Sequence, residues 1–116
     1  MSDECVFCKI VKKKKKAEFK AETNNFIAVL DAHPKAEGHT LIIPKKHYVT
    51  LLDIPNILSQ ELIELIKDIS SKILETKQGD GFNVIMNNLP PAGQAVMHAH
   101  IHLIPRKDSD GLHMIA

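Results

Sequence analysis

Three histidines that alternate with apolar residues constrain this chain more than any other feature of its sequence. They lie in the stretch Met97–Pro105, at His98, His100 and His102. A period of two is typical of a β-strand, because successive side chains of a strand point to opposite faces. The pattern therefore predicts a strand with the three imidazoles on one face and the intervening apolar side chains directed into a core.

Three interpretations of this histidine row are open. An inert, solvated face is disfavoured, since histidine is a mediocre strand former that titrates near neutral pH. A metal site needs every donor about 2 Å from the ion, and the outer pair of a strand row is about 13 Å apart at the backbone. We favour a catalytic row, in which one nucleophile or base lies between two partners.

The size and composition of the chain indicate one domain over residues 1–116. Its 44% hydrophobic and 25% charged residues are ordinary for a globular protein, and a net charge of +1 gives no general attraction to nucleic acids or membranes. Arg106 is its single arginine, so that clamps built from several arginines are excluded within one chain. Any phosphate must be held by backbone N–H groups, histidines and small polar side chains.

The sequence also bears on location. No apolar run approaches the length of a transmembrane helix, and Met1–Cys5 lacks the basic and apolar regions of a signal peptide. Two cysteines three positions apart form a poor disulfide framework. We expect a reducing, cytoplasmic location.

Cys5 and Cys8 form a Cys-x-x-Cys pair near the start of the chain. This spacing puts both thiols on one side of a tight turn or first helical turn, as half of a tetrahedral zinc site. A redox motif would follow a strand, and a chance pair remains an alternative. The other ligands would be distant histidines. His39 and His47 lie at opposite ends of the predicted strand 38–44, so one belongs with the histidine row and the other with the cysteine pair.

Hydrophobic periodicity predicts a small set of regular elements. Three strands, at Phe26–Asp31, Gly38–Pro44 and Gly81–Asn88, accompany the histidine strand, and one helix runs from about Asn56 to Gln78 with Ser59 as candidate N-cap. The five-lysine run Lys12–Lys16 and the residues through Glu22 are expected to form a loop or a frayed helix end. The tail Asp108–Ala116 has no evident structure.

Two polar features beside the predicted strands suit a nucleotide. Asp31 ends a strand, where its carboxylate would accept hydrogen bonds from ribose hydroxyls or simply begin a turn, and both interpretations stay open. The Pro-Pro-Ala-Gly turn before the histidines leaves backbone donors free around Gly93 and Gln94. This turn predicts a phosphate site.

Together these segments resemble the histidine triad (HIT) family, in particular its bacterial nucleotide-binding members. The resemblance covers nearly the whole chain. It rests on Gly93-Gln94-x-Val96-x-His98-x-His100-x-His102-Leu-Ile-Pro-Arg106, Cys5-x-Phe7-Cys8-Lys-Ile10, Asp31, Gly38-His39-Thr-Leu-Ile-Ile-Pro-Lys-x-His47 and Asn87. It implies an α+β fold with an antiparallel sheet of about five strands, one long helix, and a two-fold homodimer that extends the sheet.

The resemblance also implies a hydrolase that binds purine nucleotides and cleaves at the α-phosphorus, without a catalytic metal. Its substrates would be nucleoside phosphoramidates, aminoacyl-adenylates or dinucleoside polyphosphates. His100 would attack and form a nucleotidyl-histidine intermediate, assisted by His39, His98 and His102. The nucleotide would be held by Phe7, Ile10, Asp31, Leu41, Asn87, Gly93, Gln94, Ala95 and Val96. The alternative is a non-catalytic nucleotide-binding regulatory module.

The Cys-containing members of the family imply one structural zinc, bound by Cys5, Cys8, His47 and His98. The chain departs from the family in two places. Ala95 stands where many members have a Ser or Thr whose hydroxyl reaches the leaving group, and the tail contains no Trp. Leaving-group preference therefore stays open.

Overall fold

The computed structural model describes residues 4–113 of the chain, which form a five-stranded antiparallel sheet flanked by two helices. The strands, in the order β1-β2-β3-β5-β4, are β1 Phe19–Glu22, β2 Phe26–Leu30, β3 Thr40–Pro44, β4 Gly81–Ile85 and β5 Ile101–Arg106. The helices are α1 Val6–Val11 and α2 Ser59–Glu75, and short 3₁₀ turns lie at Leu51–Asp53, Asn56–Leu58 and Pro90–Ala92. The expected α+β architecture, with five strands and one long helix, is confirmed.

Both faces of the sheet are covered. The residues of β2 and β3 are almost all buried, although successive side chains of a strand point to opposite faces. The core beneath α2 consists of Phe26, Ala28, Ile42, Leu62, Leu65, Ile69, Ile73, Ile101 and Leu103. The core on the α1 side consists of Phe7, Ile10, Ile27, Val29, Leu41 and Ile43. His102 is the pairing partner of Leu41, so its imidazole lies on the α1 side of the sheet.

β5 is shorter than the strand predicted from the histidine row. It begins at Ile101, so that His98 and His100 precede it and only His102 lies within it. The regular ladder does not extend further because the carbonyl of Pro44, at the end of β3, accepts a hydrogen bond from the side chain of His98 at 2.9 Å. The prediction that one strand contains all three histidines is therefore wrong. The three imidazoles nevertheless lie on the α1 side of the sheet, because the rings of His98 and His100 both contact Phe7 and the ring of His100 contacts that of His102.

Two other elements are also shorter than predicted. β4 ends at Ile85 rather than Asn88, and its last paired residue, Ile85, lies opposite His102 near the start of β5. The long helix was expected over 56–78, but its first three residues form a 3₁₀ turn and Ser59 is the first helical residue rather than the N-cap. At the other end, Lys77 adopts a left-handed φ of 59°, which stops the helix.

β1 replaces the loop or frayed helix expected after the lysine run. Its side chains alternate between half-buried and exposed, as is typical of a strand at the edge of a sheet. The run Lys12–Lys16 is exposed, as expected. Residues 108–113 form no helix or strand, and the rest of the predicted tail lies outside the described residues. Among residues 4–113, no helix combines the length and apolar character needed to cross a bilayer.

Candidate functional site

One ring nitrogen of His100 forms a hydrogen bond, and the other forms none with any described residue. Its Nδ1–H donates to the carbonyl oxygen of His98 at 2.8 Å, which leaves the lone pair on Nε2. No described residue forms a hydrogen bond with that Nε2. The side chain is otherwise buried, and its ring packs nearly perpendicular to the Phe7 ring, with 5.0 Å between the ring centroids. A neutral imidazole held in this tautomer is a nitrogen nucleophile with a fixed direction.

A chain of hydrogen bonds sets the tautomer of His102. The backbone N–H of Lys35 donates to His39 Nδ1 at 3.0 Å, so the proton of neutral His39 resides on Nε2. This Nε2 lies 3.0 Å from His102 Nδ1, which therefore accepts. Burial lowers the pKa of His39, and burial with the neighbouring His100 lowers the pKa of His102 to about 4. His102 consequently presents an Nε2–H donor beside His100, with 5.0 Å between ring centroids.

The same series of hydrogen bonds argues against a metal ion bound by His39 and His102. Asp31, His39 and His102 bring three potential ligand atoms close together, with 3.4 Å between Asp31 Oδ2 and His39 Nε2. A metal ion would need the lone pair of His39 Nε2, yet the Lys35 N–H places the proton on that atom. This geometry favours a hydrogen-bonded relay over metal ligation.

Asp31 begins a turn and also faces a cavity. Its Oδ1 accepts from the backbone N–H of His33 at 2.9 Å, which is a turn interaction. Its Oδ2 faces His39, and the side chain lines a cavity of about 500 Å³ that also contains His102. The carboxylate is thus oriented by a turn and directed toward a ligand-sized space.

The turn before the histidines offers its free backbone donors at other residues than expected. The N–H groups of Gly93 and Gln94 donate to the carbonyls of Pro90 and Leu89, so the predicted free donors at these two residues are already used. The Gln94 side chain is buried and also bonds within the loop, accepting from Leu89 N–H at 2.6 Å. In the described structure, the N–H groups of Ala95 and Val96 donate to no protein acceptor. The free donors therefore lie one or two residues later.

Asn87 is the half-buried amide beside this turn. In residues 4–113 its side chain makes no hydrogen bond to protein, and it lines the same cavity as His102. Gly93 has a φ of 97°, and a Cβ there would lie 3.4 Å from Asn87 Nδ2. Glycine at this position therefore permits both the turn and the close approach of the amide.

The cysteine pair and two histidines form a separate cluster. Cys5 Sγ lies 3.3 Å from His98 Nδ1, and Cys8 Sγ lies 3.2 Å from His47 Nδ1. All four candidate ligand atoms lie within 4.8 Å of one another. A tetrahedral zinc ion with bonds of 2.0–2.3 Å holds its sulfur and nitrogen ligands about 3.5 Å apart. The cluster therefore fits a closed tetrahedral site.

His98 connects this cluster to His100. Its Nε2–H donates to the Pro44 carbonyl, which leaves the Nδ1 lone pair facing the two thiols. Burial lowers the pKa of His98 to about 4, so the ring is neutral, as a metal ligand must be. Its own carbonyl accepts the Nδ1–H of His100. One residue thus contributes its ring to the cluster and its carbonyl to the orientation of His100.

The predicted base-contacting residues lie mainly in the core. Phe7 and Ile10 of α1 pack against Leu41 of β3, and each of the three side chains is only 6–7% exposed. Phe7 reaches the site with its ring edge, which contacts both His98 and His100. These residues form an apolar floor beside the histidines.

Several residues of the site carry no motif that could have revealed them. Lys35 acts through its backbone N–H, and Pro44 through its carbonyl, so neither depends on a recognisable side chain. The cavity is also lined by Lys35, Asn83, Val84, Ile85, Ile104 and His113, which come from a loop, two strands and the tail. Only the sheet topology brings them together.

Curated proteins similar to this chain include two named hydrolases. Adenylylsulfatase HINT3 of Arabidopsis thaliana is 38% identical over 112 residues, which are 97% of this chain and 57% of that protein. Adenosine 5′-monophosphoramidase HNT1 of Candida albicans is 40% identical over 109 residues, which are 90% of this chain and 71% of that protein. The chain thus spans little more than half of the Arabidopsis protein.

Solved structures and a domain profile agree with these similarities. A Zn-bound histidine triad family protein from Mycobacterium smegmatis superposes with a TM-score of 0.89 and 37% identity, covering 96% of this chain and 81% of that one. The profile of the HIT domain matches residues 12–109, which include His39, His47, His98, His100 and His102. The chain therefore belongs to the histidine triad (HIT) family.

Proposed function

We propose that this protein is a purine nucleotide hydrolase that cleaves nucleotidyl compounds at the α-phosphorus through a nucleotidyl-His100 intermediate. The observation that carries the proposal is the free Nε2 of His100, oriented by the bond from Nδ1–H to the His98 carbonyl. Its substrates are nucleoside phosphoramidates or related compounds such as aminoacyl-adenylates and dinucleoside polyphosphates. The names of the Arabidopsis and Candida relatives, an adenylylsulfatase and a phosphoramidase, support adenylyl transfer to water.

The first step forms a bond from His100 Nε2 to phosphorus and breaks the bond from phosphorus to the leaving group. Negative charge on the non-bridging oxygens is met by the Nε2–H of His102 and by the free N–H groups of Ala95 and Val96. Asn87 adds an unpaired amide donor at the same place. Water then attacks the phosphorus, which releases the nucleotide and returns the electron pair to His100.

The nucleoside portion is assigned to the surroundings of Asp31. Its carboxylate lines the cavity and suits the two ribose hydroxyls, since each oxygen of an ionised carboxylate accepts more than one hydrogen bond. Phe7, Ile10 and Leu41 provide the apolar surface against which a purine packs.

We further propose one structural zinc ion bound by Cys5, Cys8, His47 and His98. The Zn-bound relative from Mycobacterium smegmatis and the fit of the four donor atoms support it. Bound zinc links the start of α1 to the segment after β3 and to His98. Four protein ligands close the coordination shell, which is typical of a structural rather than a catalytic ion.

The intermediate provides the direct test of the reaction. Protein mixed with adenosine 5′-phosphoramidate and quenched within one turnover is expected to carry one adenylyl group, located by mass spectrometry of peptides on His100. An adduct on another residue, or steady turnover without any adduct at the shortest times, would contradict the proposed mechanism.

A non-catalytic nucleotide-binding module is the second candidate. Ala95 favours it, because the chain lacks the hydroxyl that many relatives offer to the leaving group. Tight AMP binding without hydrolysis of any of the three substrate classes would establish this second candidate and overturn the first.

We propose that two copies associate through the free edge of β4 and thereby extend the sheet. Phe82 and Val84 on this edge are 38% and 47% exposed, although both are apolar. Ile63 and Leu74 form a further exposed apolar stripe on α2, which packs beside β4. Exposed apolar residues on an edge strand and an adjacent helix are typical of an interface.

Replacing Val84 with aspartate is expected to convert the dimer to a monomer, since the new carboxylates would meet like charge across the two-fold axis. Sedimentation velocity measures the change. Leu52→Asp is the matched control, because Leu52 is 92% exposed in a 3₁₀ turn that is not part of the sheet. A V84D protein with the mass of the parent would refute this interface.

A further inference from the structure

Positive charge is concentrated at the end of α1. Residues 9–16 contain six lysines and no acidic residue, whereas the whole chain has a net charge of +1. This segment therefore carries +6, and the other residues of the chain together carry −5. All six side chains are exposed. These residues, Lys9 and Lys12–Lys16, form a lysine patch whose charge is hidden in the small net charge of the chain.

Backbone hydrogen bonds hold the lysine patch in a defined turn. The N–H of Lys13 donates to the carbonyl of Ile10 at 2.9 Å, and the N–H of Lys14 donates to the carbonyl of Lys9 at 2.8 Å. This pair of hydrogen bonds is the Schellman motif, which ends a helix. The lysines that follow α1 are therefore gathered at one turn, although like charges repel each other.

Lys13 adopts the left-handed conformation in this turn, with a φ of 61°. Glycine usually occupies such a position, since a Cβ is sterically disfavoured there. The Nζ of Lys13 lies 5.2 Å from the centroid of the Phe19 ring and 3.9 Å from Glu22 Oε1, so that the side chain is held against β1. A charged residue thus occupies a position where glycine would relieve backbone strain.

The protein neutralises little of the charge of the lysine patch. Among residues 4–113, Glu22 supplies the single carboxylate within ion-pair distance of the patch, and its shorter contact is with Lys45, at 2.8 Å. The dipole of α1 favours Lys9 in its last turn, but this effect fades beyond the helix end. Helix capping therefore accounts for the lysines nearest α1 and gives Lys14, Lys15 and Lys16 no structural role.

We propose that the lysine patch is a docking surface for the phosphate backbone of double-stranded nucleic acid, which it binds without regard to base sequence. A duplex carries one negative charge per about 1.7 Å of its axis, so that several phosphates lie within reach of one lysine-rich turn. Lysine offers a compact charge rather than the planar fork with which arginine recognises guanine. Contacts of this kind position a protein on a duplex and carry no sequence information.

A single strand or a membrane suits the lysine patch less well than a duplex. Single-stranded sites stack bases on aromatic side chains, whereas Phe19 is half-buried and packs against Lys13. Stable attachment to a membrane needs an apolar or lipid anchor in addition to basic charge. The apolar neighbours Val11, Ala17 and Phe19 instead pack against the core on the α1 side. The patch therefore offers charge, with neither a stacking platform nor an anchor.

Fluorescence anisotropy of a labelled DNA duplex, measured over a series of KCl concentrations, tests the proposal. About five phosphate contacts should make log Kd rise with log salt concentration with a slope of about 4.5, because bound lysines release counterions from the duplex. Replacing Lys14, Lys15 and Lys16 with glutamine removes three of these contacts. This triple variant should lower the slope by about 2.7 and weaken binding at low salt at least about tenfold.

Replacing Lys67, Lys72 and Lys107 with glutamine is the matched control, because it makes the same change in net charge at three exposed lysines outside the patch. This control should keep the slope of the parent and a Kd within about twofold of it. Both triple variants should melt at the temperature of the parent, since the substituted side chains are solvated. Equal losses of affinity in the two variants would show that binding follows net charge alone and would overturn the proposal.

Competition against the labelled duplex distinguishes nucleic acid from a membrane. Vesicles of equimolar phosphatidylserine and phosphatidylcholine should displace the labelled duplex less effectively than unlabelled duplex does at the same concentration of phosphate. Stronger competition by the vesicles would assign the patch to a membrane, and binding that is absent or independent of salt would leave no docking surface. Either result overturns the proposal. None of these measurements involves hydrolysis, so their outcome is independent of the function proposed above.

Discussion

Replacing His100 with asparagine is expected to lower kcat for adenosine 5′-phosphoramidate by roughly 10³-fold or more, as removal of a nucleophile does in enzymes with covalent intermediates. Asparagine retains a side-chain N–H that can donate to the His98 carbonyl, so the surrounding loop should keep its structure. AMP affinity should change by less than about fivefold, because the ribose and phosphate contacts of the proposal involve other residues. Steady-state kinetics and calorimetry measure the two quantities.

His33→Asn is the matched control for this substitution. His33 is exposed, and it contacts Asp31 through its backbone N–H rather than its ring. The control should keep full activity. Substantial turnover by H100N, or an equal loss in both variants, would show that His100 is not the nucleophile.

The sequence predicts which residues lie together at this site better than it predicts how their side chains are oriented. Alternation of histidine with apolar residues correctly predicted that the intervening apolar side chains enter a core, since Ile101 and Leu103 lie beneath α2. It did not reveal where the strand begins, because periodicity continues through His98 and His100 while the ladder does not. A period of two describes an extended chain, whereas a strand also needs a partner with free backbone groups.

The contacts that orient the imidazoles were beyond prediction for a different reason. They use the backbone N–H of Lys35 and the backbone carbonyl of Pro44. Every residue type has the carbonyl, and every type except proline has the N–H, so the side chains at these positions give no signal. Arg106 was noted only as the single arginine, and its bonds to Asn83 and the tail depend on the sheet order that places β4 beside β5.

The candidate metal site and the candidate catalytic site are connected through one residue, His98. The ring of His98 faces Cys5 and Cys8, and its carbonyl, in the same residue, accepts from His100. An ion that holds the ring also restrains the carbonyl. In the proposed function the three histidines of the row therefore have different roles: His98 is a metal ligand, His100 is the nucleophile and His102 donates a hydrogen bond to the phosphate.

Replacing both Cys5 and Cys8 with serine is expected to eliminate zinc from the protein and to lower its stability substantially. Loss of an ion that binds only the folded state, at a concentration 100 times its Kd, removes about 2.7 kcal/mol. For a domain of this size, the melting temperature should fall by roughly 10 °C or more. Elemental analysis should show one zinc per chain in the parent and none in the variant.

Serine makes this comparison specific to the metal. Cys5 is the N-cap of α1 and its Sγ accepts from Cys8 N–H at 3.4 Å, and serine is a favourable N-cap, so the helix start is preserved. The double variant should therefore melt at the same temperature with and without a chelator, close to the melting temperature of the chelated parent. If the parent were equally insensitive to chelator, or if the variant kept its zinc, the four-residue site would be wrong. If the metal also restrains the His98 carbonyl, kcat of the chelated parent should fall while AMP affinity is retained.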